Sequence, residues 1–410
     1  MVISAVFPPE FTYSGRVSEQ IAYELARRGH EVTVLAPFPN RPGGQLFAGY
    51  RRSLYRRAQA AGGYALIHCF STLAPSSKMI SRFFENITFG LTSACRLMTC
   101  KRPDIVYSNS WPIVATALMA LVARLRGIPF VVAVQDVYPE SLITQGHTQT
   151  QSLLVRIMRA IDRNVAQSAA SLIVISERFR ELYIQNRGVP DSRVHLVHNW
   201  ADMDQQTFIP GSDLAFREKK QIPRDAFLAV YGGNVGPASG AEGLVDAFVE
   251  LRDISAYLLV AGAGSRLQAC REKADQFHCE RVLFLTPWKD EDTAPVLGAA
   301  DVTLLPTISN QSQVSVPSKL ISYMLAGKPV IAQVHQDSET ARMLEAADAG
   351  WVLPPDEPRL LGAKLRELAS MDRHILAEKG LNGRRFALEN LSRESNLPKS
   401  IRILLDAARH

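Results

Sequence analysis

The run Phe130-Val131-Val132-Ala133-Val134 is apolar at every position, so both faces of the segment must be buried. A strand with one wet face alternates apolar and polar residues, whereas an unbroken apolar strand belongs to a parallel sheet covered by helices on both sides. Comparable runs recur along the chain and alternate with helical periodicity. In the first half, strands are expected at Ile3–Phe7, Glu31–Ala36, Ala65–Phe70, Ile105–Ser108, Phe130–Gln135, Leu172–Ser176 and His195–His198. Between them, Val17–Arg28 reads as a helix stopped by Gly29, and Ile113–Leu125 as one stopped by Gly127. The second half repeats the alternation, with strands at Phe227–Tyr231, Tyr257–Ala261, Val282–Leu285, Val302–Leu305, Val330–Ala332 and Trp351–Leu353.

Two such series imply an α/β protein with two doubly wound, Rossmann-like parallel sheets. A polar, aperiodic stretch separates them. The expected organisation is therefore a first domain over 1–199, a linker over 200–224 and a second domain over 225–393. A C-terminal segment, 394–410, contains the helical pattern Pro398–Ala408 and would pack back on the first domain. In open α/β sheets ligands gather beyond the C-terminal ends of the strands, here expected in a cleft between the domains.

Composition narrows the class. The chain has 410 residues, 47% hydrophobic and 21% charged, enough apolar material for two full cores. Five cysteines without a C-x-x-C pair argue against a disulfide framework or a structural zinc site. The nine histidines form no H-x-x-x-H pair. The first residues read as a strand, not a secretory signal, and a strand so close to Met1 leaves room for native residues before it. The apolar helical run from Ile113 to Ala123 is too short to cross a bilayer. Charge is uneven: residues 1–199 hold 22 Lys and Arg against 12 Asp and Glu, and residues 200–410 hold 24 against 28. A basic half suits an anionic partner, nucleic acid or membrane, and no nucleic-acid module is recognisable. The arginines 51, 52, 56 and 57, and the aromatic segment from Met79 to Leu91 with Arg82, Arg96, Lys101 and Arg102, fit an anionic membrane face or a solvated loop beside a core helix.

The segment from Val316 to Ala332 carries the most local chemistry. Pro317 suits the first position of a helix, with Ser318 and Lys319 in its first turn. Gly327 is placed to end that helix in the left-handed conformation, and Pro329 forbids continuation. A helix N-terminus with an adjacent lysine suits a phosphate or diphosphate, although an ordinary solvated first turn reads the same way. Tyr231-Gly232-Gly233-Asn234-Val235-Gly236 follows an apolar strand and precedes a helix at Ala241–Leu251, so Gly233, Asn234, Val235 and Gly236 are candidates for close backbone approach to a phosphate or sugar. The spacing is neither a Walker A loop nor a dinucleotide fingerprint. Ala261-Gly262-Ala263-Gly264 is a weaker signal of the same kind. Trp288, in a loop after a strand, is placed to stack on a base or to plug the core. Asn310 and Gln311 precede Pro317 and suit sugar hydroxyls.

In the first domain, the loop Pro8–Arg16 is long, with Gly15 and Arg16 before the helix as ligand-facing candidates. Asp136, in Asp136-Val137-Tyr138-Pro139-Glu140, lies past the end of an apolar strand, where a catalytic carboxylate or a turn cap would sit. Arg178 follows another strand and faces either a ligand or solvent.

These segments, in this order, resemble the retaining GT-B glycosyltransferases of family four, most closely bacterial enzymes of O-antigen and exopolysaccharide assembly such as N-acetyl-L-fucosamine and fucosyl transferases. The resemblance rests on Phe7-Pro8-Pro9-Glu10, Arg27 to Val34, Asp136 to Glu140, Val174 to Glu177 and Val197 to Asp202 in the first half. In the second half it rests on Gly233-Asn234, Gly240-Ala241-Glu242, Ala300-Asp301-Val302 and Val316 to Lys319. It implies a UDP-sugar donor held by the second domain through Gly233–Gly236, Glu242, Trp288, Asn310, Gln311, Pro317, Ser318, Lys319 and Ser322. It implies an acceptor on the first domain, near Gly15, Arg16, Tyr138, Glu140 and Arg178, often a saccharide on a diphosphate lipid at the cytoplasmic face of the inner membrane. Transfer would retain anomeric configuration without a metal, with Asp136 and Lys319 as catalytic groups. The chain departs from the family's Glu-x7-Glu pair, placing Val314 and Ser322 at those positions, and lacks the usual Arg and Lys after the glycine turn. A nucleotide-sugar epimerase of GT-B architecture and a non-catalytic partner in a polysaccharide-assembly complex are the alternatives.

Overall fold

The structure is a computed structural model that describes residues 1–10, 12–41, 43–60, 62–73, 79–144, 152–201, 212–309 and 317–409. It divides into two compact units, Met1–His198 with Leu397–His410, and Asn199–Asn396.

The first unit holds an eight-stranded sheet. Its strands are β1 (Val2–Ile3), β2 (Thr33–Pro37), β3 (Tyr55–Gln59), β4 (Ala65–Cys69), β5 (Val106–Asn109), β6 (Phe130–Val134), β7 (Ser171–Val174) and β8 (Val194–Leu196), in the order β3-β4-β2-β1-β5-β6-β7-β8. The helices are α1 (Tyr13–Arg27), α2 (Met79–Thr99), α3 (Ile113–Leu125), α4 (Glu140–Thr144), α5 (Leu153–Ser168) and α6 (Glu177–Glu181). All pairings are parallel except β3 with β4. β3 was not expected, because Tyr55-Arg56-Arg57-Ala58-Gln59 reads as a basic loop. It is an edge strand with Arg56 and Arg57 exposed, and charge at an edge discourages further pairing. β1 is shorter than its apolar run, since only Val2 and Ile3 pair with both neighbours. α1 starts at Tyr13, with the Thr12 hydroxyl accepting from the Gly15 amide at 3.2 Å, so the loop before it is shorter than expected.

The second unit holds a six-stranded, wholly parallel sheet: β9 (Phe227–Gly232), β10 (Ala256–Ala261), β11 (Val282–Leu285), β12 (Val302–Pro306), β13 (Val330–Gln333) and β14 (Gly350–Leu353), in the order β11-β10-β9-β12-β13-β14. Its helices are α7 (Ser212–Lys219), α8 (Ala241–Val249), α9 (Leu267–Gln276), α10 (Thr293–Ala299), α11 (Ser318–Leu325), α12 (Glu339–Ala347), α13 (Pro358–Ala369) and α14 (Arg373–Asn390). Successive residues of β9 enter different cores: Leu228 and Val230 join one cluster with α10, α11 and α14, while Phe227, Ala229 and Tyr231 join another with α8 and α13. The period-two geometry of a strand is thus present although every residue is buried. The last helix, α15 (Arg393–Ala408), begins in the second unit and continues in the first.

Ser212–Lys219, expected within a linker, is a helix of the second unit. Arg217 is buried and donates to the Ala299 carbonyl at 2.7 and 3.0 Å, to the Ala226 carbonyl at 2.8 Å and to Asp301 at 2.9 Å. A charge that reads as solvated in the sequence is the pin that holds α7 to the domain. Burial of a guanidinium is tolerable when its donors are all occupied.

Candidate functional site in the second unit and its counterpart in the first

β9 ends at the glycine turn, and α11 begins beside it. Lys319 lies in the first turn of α11, with Pro317 as the N-cap position instead of the first helical one. Among the described residues no side chain caps this end. At the other end Gly327 adopts φ +70°, and Lys328 N–H bonds to Tyr323 O while Gly327 N–H bonds to Met324 O, the Schellman stop expected from Gly327 and Pro329.

Lys319 runs along the glycine turn. A methyl at Gly233 would lie 2.3 Å from Lys319 Cε, so the absence of a side chain there makes room for the lysine stem. Lys319 Nζ sits 4.2 Å from the centroid of the Tyr231 ring and donates to the Tyr231 hydroxyl. That hydroxyl donates to the Asn234 carbonyl at 2.7 Å. Burial lowers the Lys319 pKa to about 8 and pushes Tyr231 up to about 12. The result is a partly desolvated ammonium aligned on an aromatic face at an uncapped helix N-terminus, an arrangement suited to an anion.

The turn itself is locked from beneath. Gly233 N–H donates to Ala261 O at 2.8 Å and Val235 N–H to Ala263 O at 2.9 Å. A methyl at Gly262 would lie 1.9 Å from Gly233 O, and one at Gly264 2.2 Å from Val235 O. The second glycine pattern is therefore the structural partner of the first. The amides of Gly233 and Val235, expected to help with a phosphate, are already bonded within the protein. Tyr323, four residues after Lys319, is buried; its hydroxyl accepts from Gly232 N–H at 2.8 Å and donates to Gly232 O at 3.1 Å. Trp288 lays its ring against Gly232, where a methyl would meet it at 2.6 Å, and its indole N–H finds no partner among the described residues. Lys319, Gly233 and Trp288 are thus brought together around Gly232 and Tyr231. Tyr231 and Tyr323 were missed as site residues, although Tyr323 stands at the i+4 position from Lys319, on one helix face with it.

Glu242 lies in the first turn of α8 and pairs with Arg266 at 2.6 Å. It lines, with Gly236, Gly240, Thr307, Gln333 and Asp356, a pocket of about 400 Å³ at the C-terminal ends of β12 and β13. Asn234 and Ser318 are exposed, and Ser322 is half-buried within α11. Asn310, Gln311 and Val314 lie outside the described residues.

In the first unit, Asp136 follows β6 and remains open to solvent, while nearby protein raises its carboxyl above the usual range by desolvation. The same carboxylate and, above all, burial push Tyr138 up to about 12. Ser110 Oγ donates to the Asp136 carbonyl at 3.2 Å. Glu140 accepts from Arg187 at 2.8 and 2.9 Å and pairs with Arg159 at 3.5 Å, so its carboxylate is spent on structure. Gly15 is buried, and a methyl on it would lie 2.9 Å from Val6 O; the residue packs α1 against the chain leaving β1. Arg16 and Arg178 lie near the starts of α1 and α6, and Arg178 is exposed. Glu10, part of the Phe7-Pro8-Pro9-Glu10 segment but given no role from the sequence, is buried; one carboxylate oxygen accepts from the amides of Asn40 at 2.6 Å and Arg41 at 2.8 Å, tying the loops after β1 and β2 together.

Comparison with known proteins finds a match for each half of the chain. Residues 14–200 match the Glycosyl transferase 4-like domain, and residues 226–371 match Glycosyl transferases group 1. The chain is 25% identical to the glycosyltransferase WbjE of Pseudomonas aeruginosa over 296 residues, 72% of this chain and 73% of that one. It is 22% identical over 401 residues to WcaI of Escherichia coli K12, a protein named for colanic acid biosynthesis, covering 96% and 98% of the two chains. The fold matches that of Anabaena HepE in complex with UDP at a TM-score of 0.72 and 14% identity, over 99% of each chain. Two parallel-sheet domains of this kind define the GT-B fold. The chain is thus a glycosyltransferase of two domains, the first matching the Glycosyl transferase 4-like model and the second the group 1 model.

Proposed function

We propose that this enzyme moves a sugar from a uridine diphosphate sugar to a lipid-linked saccharide in the assembly of a bacterial surface polysaccharide, with retention of anomeric configuration. UDP-N-acetyl-L-fucosamine is one donor the resemblance suggests. The observation that carries the donor half is Lys319: a desolvated ammonium on Tyr231, at an uncapped helix N-terminus, against a glycine that leaves it room. A diphosphate leaving group develops negative charge as the glycosidic bond breaks, and a fixed cation with helix-end N–H groups stabilises that charge. Protein groups supply this stabilisation in the proposal, without a metal. Asp136, with its raised pKa and open position beyond β6, serves the acceptor hydroxyl by orienting it or taking its proton.

WbjE supports the transferase part of this reading, WcaI, by its name, the polysaccharide part, and the UDP complex of HepE the uridine part. The acceptor lipid would place the protein at the cytoplasmic face of the inner membrane as a peripheral protein; no helix among the described residues is long and apolar enough to cross it.

Thermal unfolding with UDP, GDP and ADP, for the wild type and Lys319→Ala, tests the donor reading. At a hundredfold excess over Kd a ligand stabilises by about 2.7 kcal/mol. A shift with UDP alone, lost in the variant, is expected; no shift with any nucleotide at millimolar concentration overturns it. Interconversion of UDP-sugars without acceptor would favour an epimerase instead.

A further inference from the structure

Three helices of the first unit, α2, α3 and α5, contribute their inner faces to one hydrophobic core: Phe89, Ala94 and Leu97 from α2, Ala115, Met119, Ala120, Val122 and Ala123 from α3, and Val165 and Ala166 from α5. α3 packs between the other two, so the three form a single layer over the sheet and share an outward direction.

The outward side of that layer is unusual in two independent respects. First, it exposes large apolar residues on every helix. α2 shows Phe83, Phe84 and Leu91, with the two phenylalanine rings edge to face at 6.1 Å. α3 shows Leu121 and Leu125, and α5 shows Leu153, Leu154 and Ile157, of which Leu153 is 73% exposed. Single exposed leucines are ordinary, but apolar residues repeated over three adjacent helices are not. Second, the charge is of one sign. The three helices carry six arginines, two on α2, one on α3 and three on α5. They carry two carboxylates, Glu85 and Asp162, and both are withdrawn: Glu85 is 2% exposed and held by Arg82 at 2.8 Å, and Asp162 is 7% exposed and held by Arg187 at 2.7 Å. No exposed acidic residue therefore lies on these helices, while Arg124, Arg156 and Arg163 are exposed among the leucines.

From this pattern we infer that the outer face of α2, α3 and α5 docks on an anionic lipid bilayer. Apolar side chains interleaved with arginines match the acyl boundary and the phosphate headgroups at once. A protein partner with its own acidic and basic groups would not require the complete withdrawal of carboxylates from the face, whereas an anionic surface repels each one. The inference rests on the proposed lipid-linked acceptor for its purpose, and on the surface alone for its support.

Vesicle flotation of the full chain, without nucleotide, tests the surface. Phosphatidylcholine vesicles are compared with vesicles holding about 30 mol% phosphatidylglycerol, at low and at physiological salt. Flotation with the anionic vesicles, weakened by salt, is expected. The triple variant Leu153→Ser, Leu154→Ser, Ile157→Ser should lose at least about tenfold in partitioning, and Arg156→Gln and Arg163→Gln about fivefold each. These positions are exposed, so all variants should melt with the wild type. Equal flotation of wild type and variants, or none by the wild type, overturns the inference. So does a dimer in light scattering that the triple variant dissociates, because the face then belongs to a second copy. The nucleotide melting shift is read on the same samples. Its presence without flotation removes the surface and leaves the donor reading, and flotation without it does the reverse.

Discussion

Lys319 Nζ lies 4.2 Å from the centre of the Tyr231 ring and donates to its hydroxyl, so the cation that opens α11 is supported by the strand that leads into the glycine turn. This contact joins two segments 88 residues apart and makes the lysine's protonation a measurable property of the site.

Burial holds Lys319 at about 8, and a diphosphate binds its charged form. UDP affinity is therefore expected to be level below pH 8 and to fall above it, approaching about tenfold per pH unit. The stability of the unliganded protein should move the other way. Its folded pKa is below the ordinary 10.5, so the unfolded chain holds more protons between those values and this residue's contribution rises with pH there. Calorimetric titration with UDP from pH 7 to 9, with Lys319→Arg as the variant that stays charged, distinguishes the two trends.

Gly233→Ala should weaken UDP binding by displacing the Lys319 stem, and its φ of +136° adds backbone strain. A loss of about 1–3 kcal/mol in stability is expected from the strain. Gly243→Ala, in α8, meets nothing within 4 Å and should be neutral or stabilising by up to about 1 kcal/mol. Urea unfolding of both variants, with the UDP shift measured alongside, checks the contrast.

Tyr323→Phe keeps the ring and removes the hydroxyl that serves both the N–H and the carbonyl of Gly232. A buried donor left unpaired costs about 1–3 kcal/mol. Chemical denaturation should show that loss; a variant as stable as the wild type would mean that water replaces the hydroxyl.

Arg187 is 1% exposed and holds Asp162 at 2.7 Å and Glu140 at 2.8 Å, with Tyr183 donating to the other Asp162 oxygen at 2.9 Å. Arg187→Met leaves the buried Asp162 without its cation and Glu140 with Arg159 alone, and should destabilise by about 3–5 kcal/mol. Lysine should rescue only in part, because its point charge cannot reproduce the forked geometry. The melting temperatures of both variants decide this.

Asp136→Asn should reduce transfer at least about a hundredfold while leaving the UDP melting shift intact. With the wild type, the rate should rise with pH through a value above the ordinary carboxylate range, since the ionised form is the one proposed to act. A variant that loses both transfer and the nucleotide shift would place Asp136 in folding, not in the reaction.

Much of the fold was legible in the chain. The alternation of strand and helix patterns located thirteen of the fourteen strands, most clearly those such as β6 and β9 that are buried on both faces and apolar throughout, a signal that needs no partner to be read. β3 escaped because an edge strand needs no apolar run; its arginines are what an edge tolerates. α7 escaped for the opposite reason, since Arg217 looks like a surface charge until Ala299, Ala226 and Asp301 are seen around it. In the site, Lys319 and the glycine turn were visible as local motifs, whereas the occupied amides of Gly233 and Val235 and the engaged carboxylate of Glu140 were not.

The sequence by itself determined the two doubly wound sheets, the helix from Ser318 to Leu325 with its stop at Gly327, and the basic character of the first half. These follow from periodicity, backbone conformation and composition, all of which are local. Tertiary structure alone decided that Lys319 rests on Tyr231, that Tyr323 holds Gly232, that the two glycine turns lock together, and that α2, α3 and α5 turn arginines and leucines outward while withdrawing Glu85 and Asp162. Which hydrogen-bonding groups are already used, and which charges stay in water, depends on residues distant in the chain. No local pattern encodes that distribution.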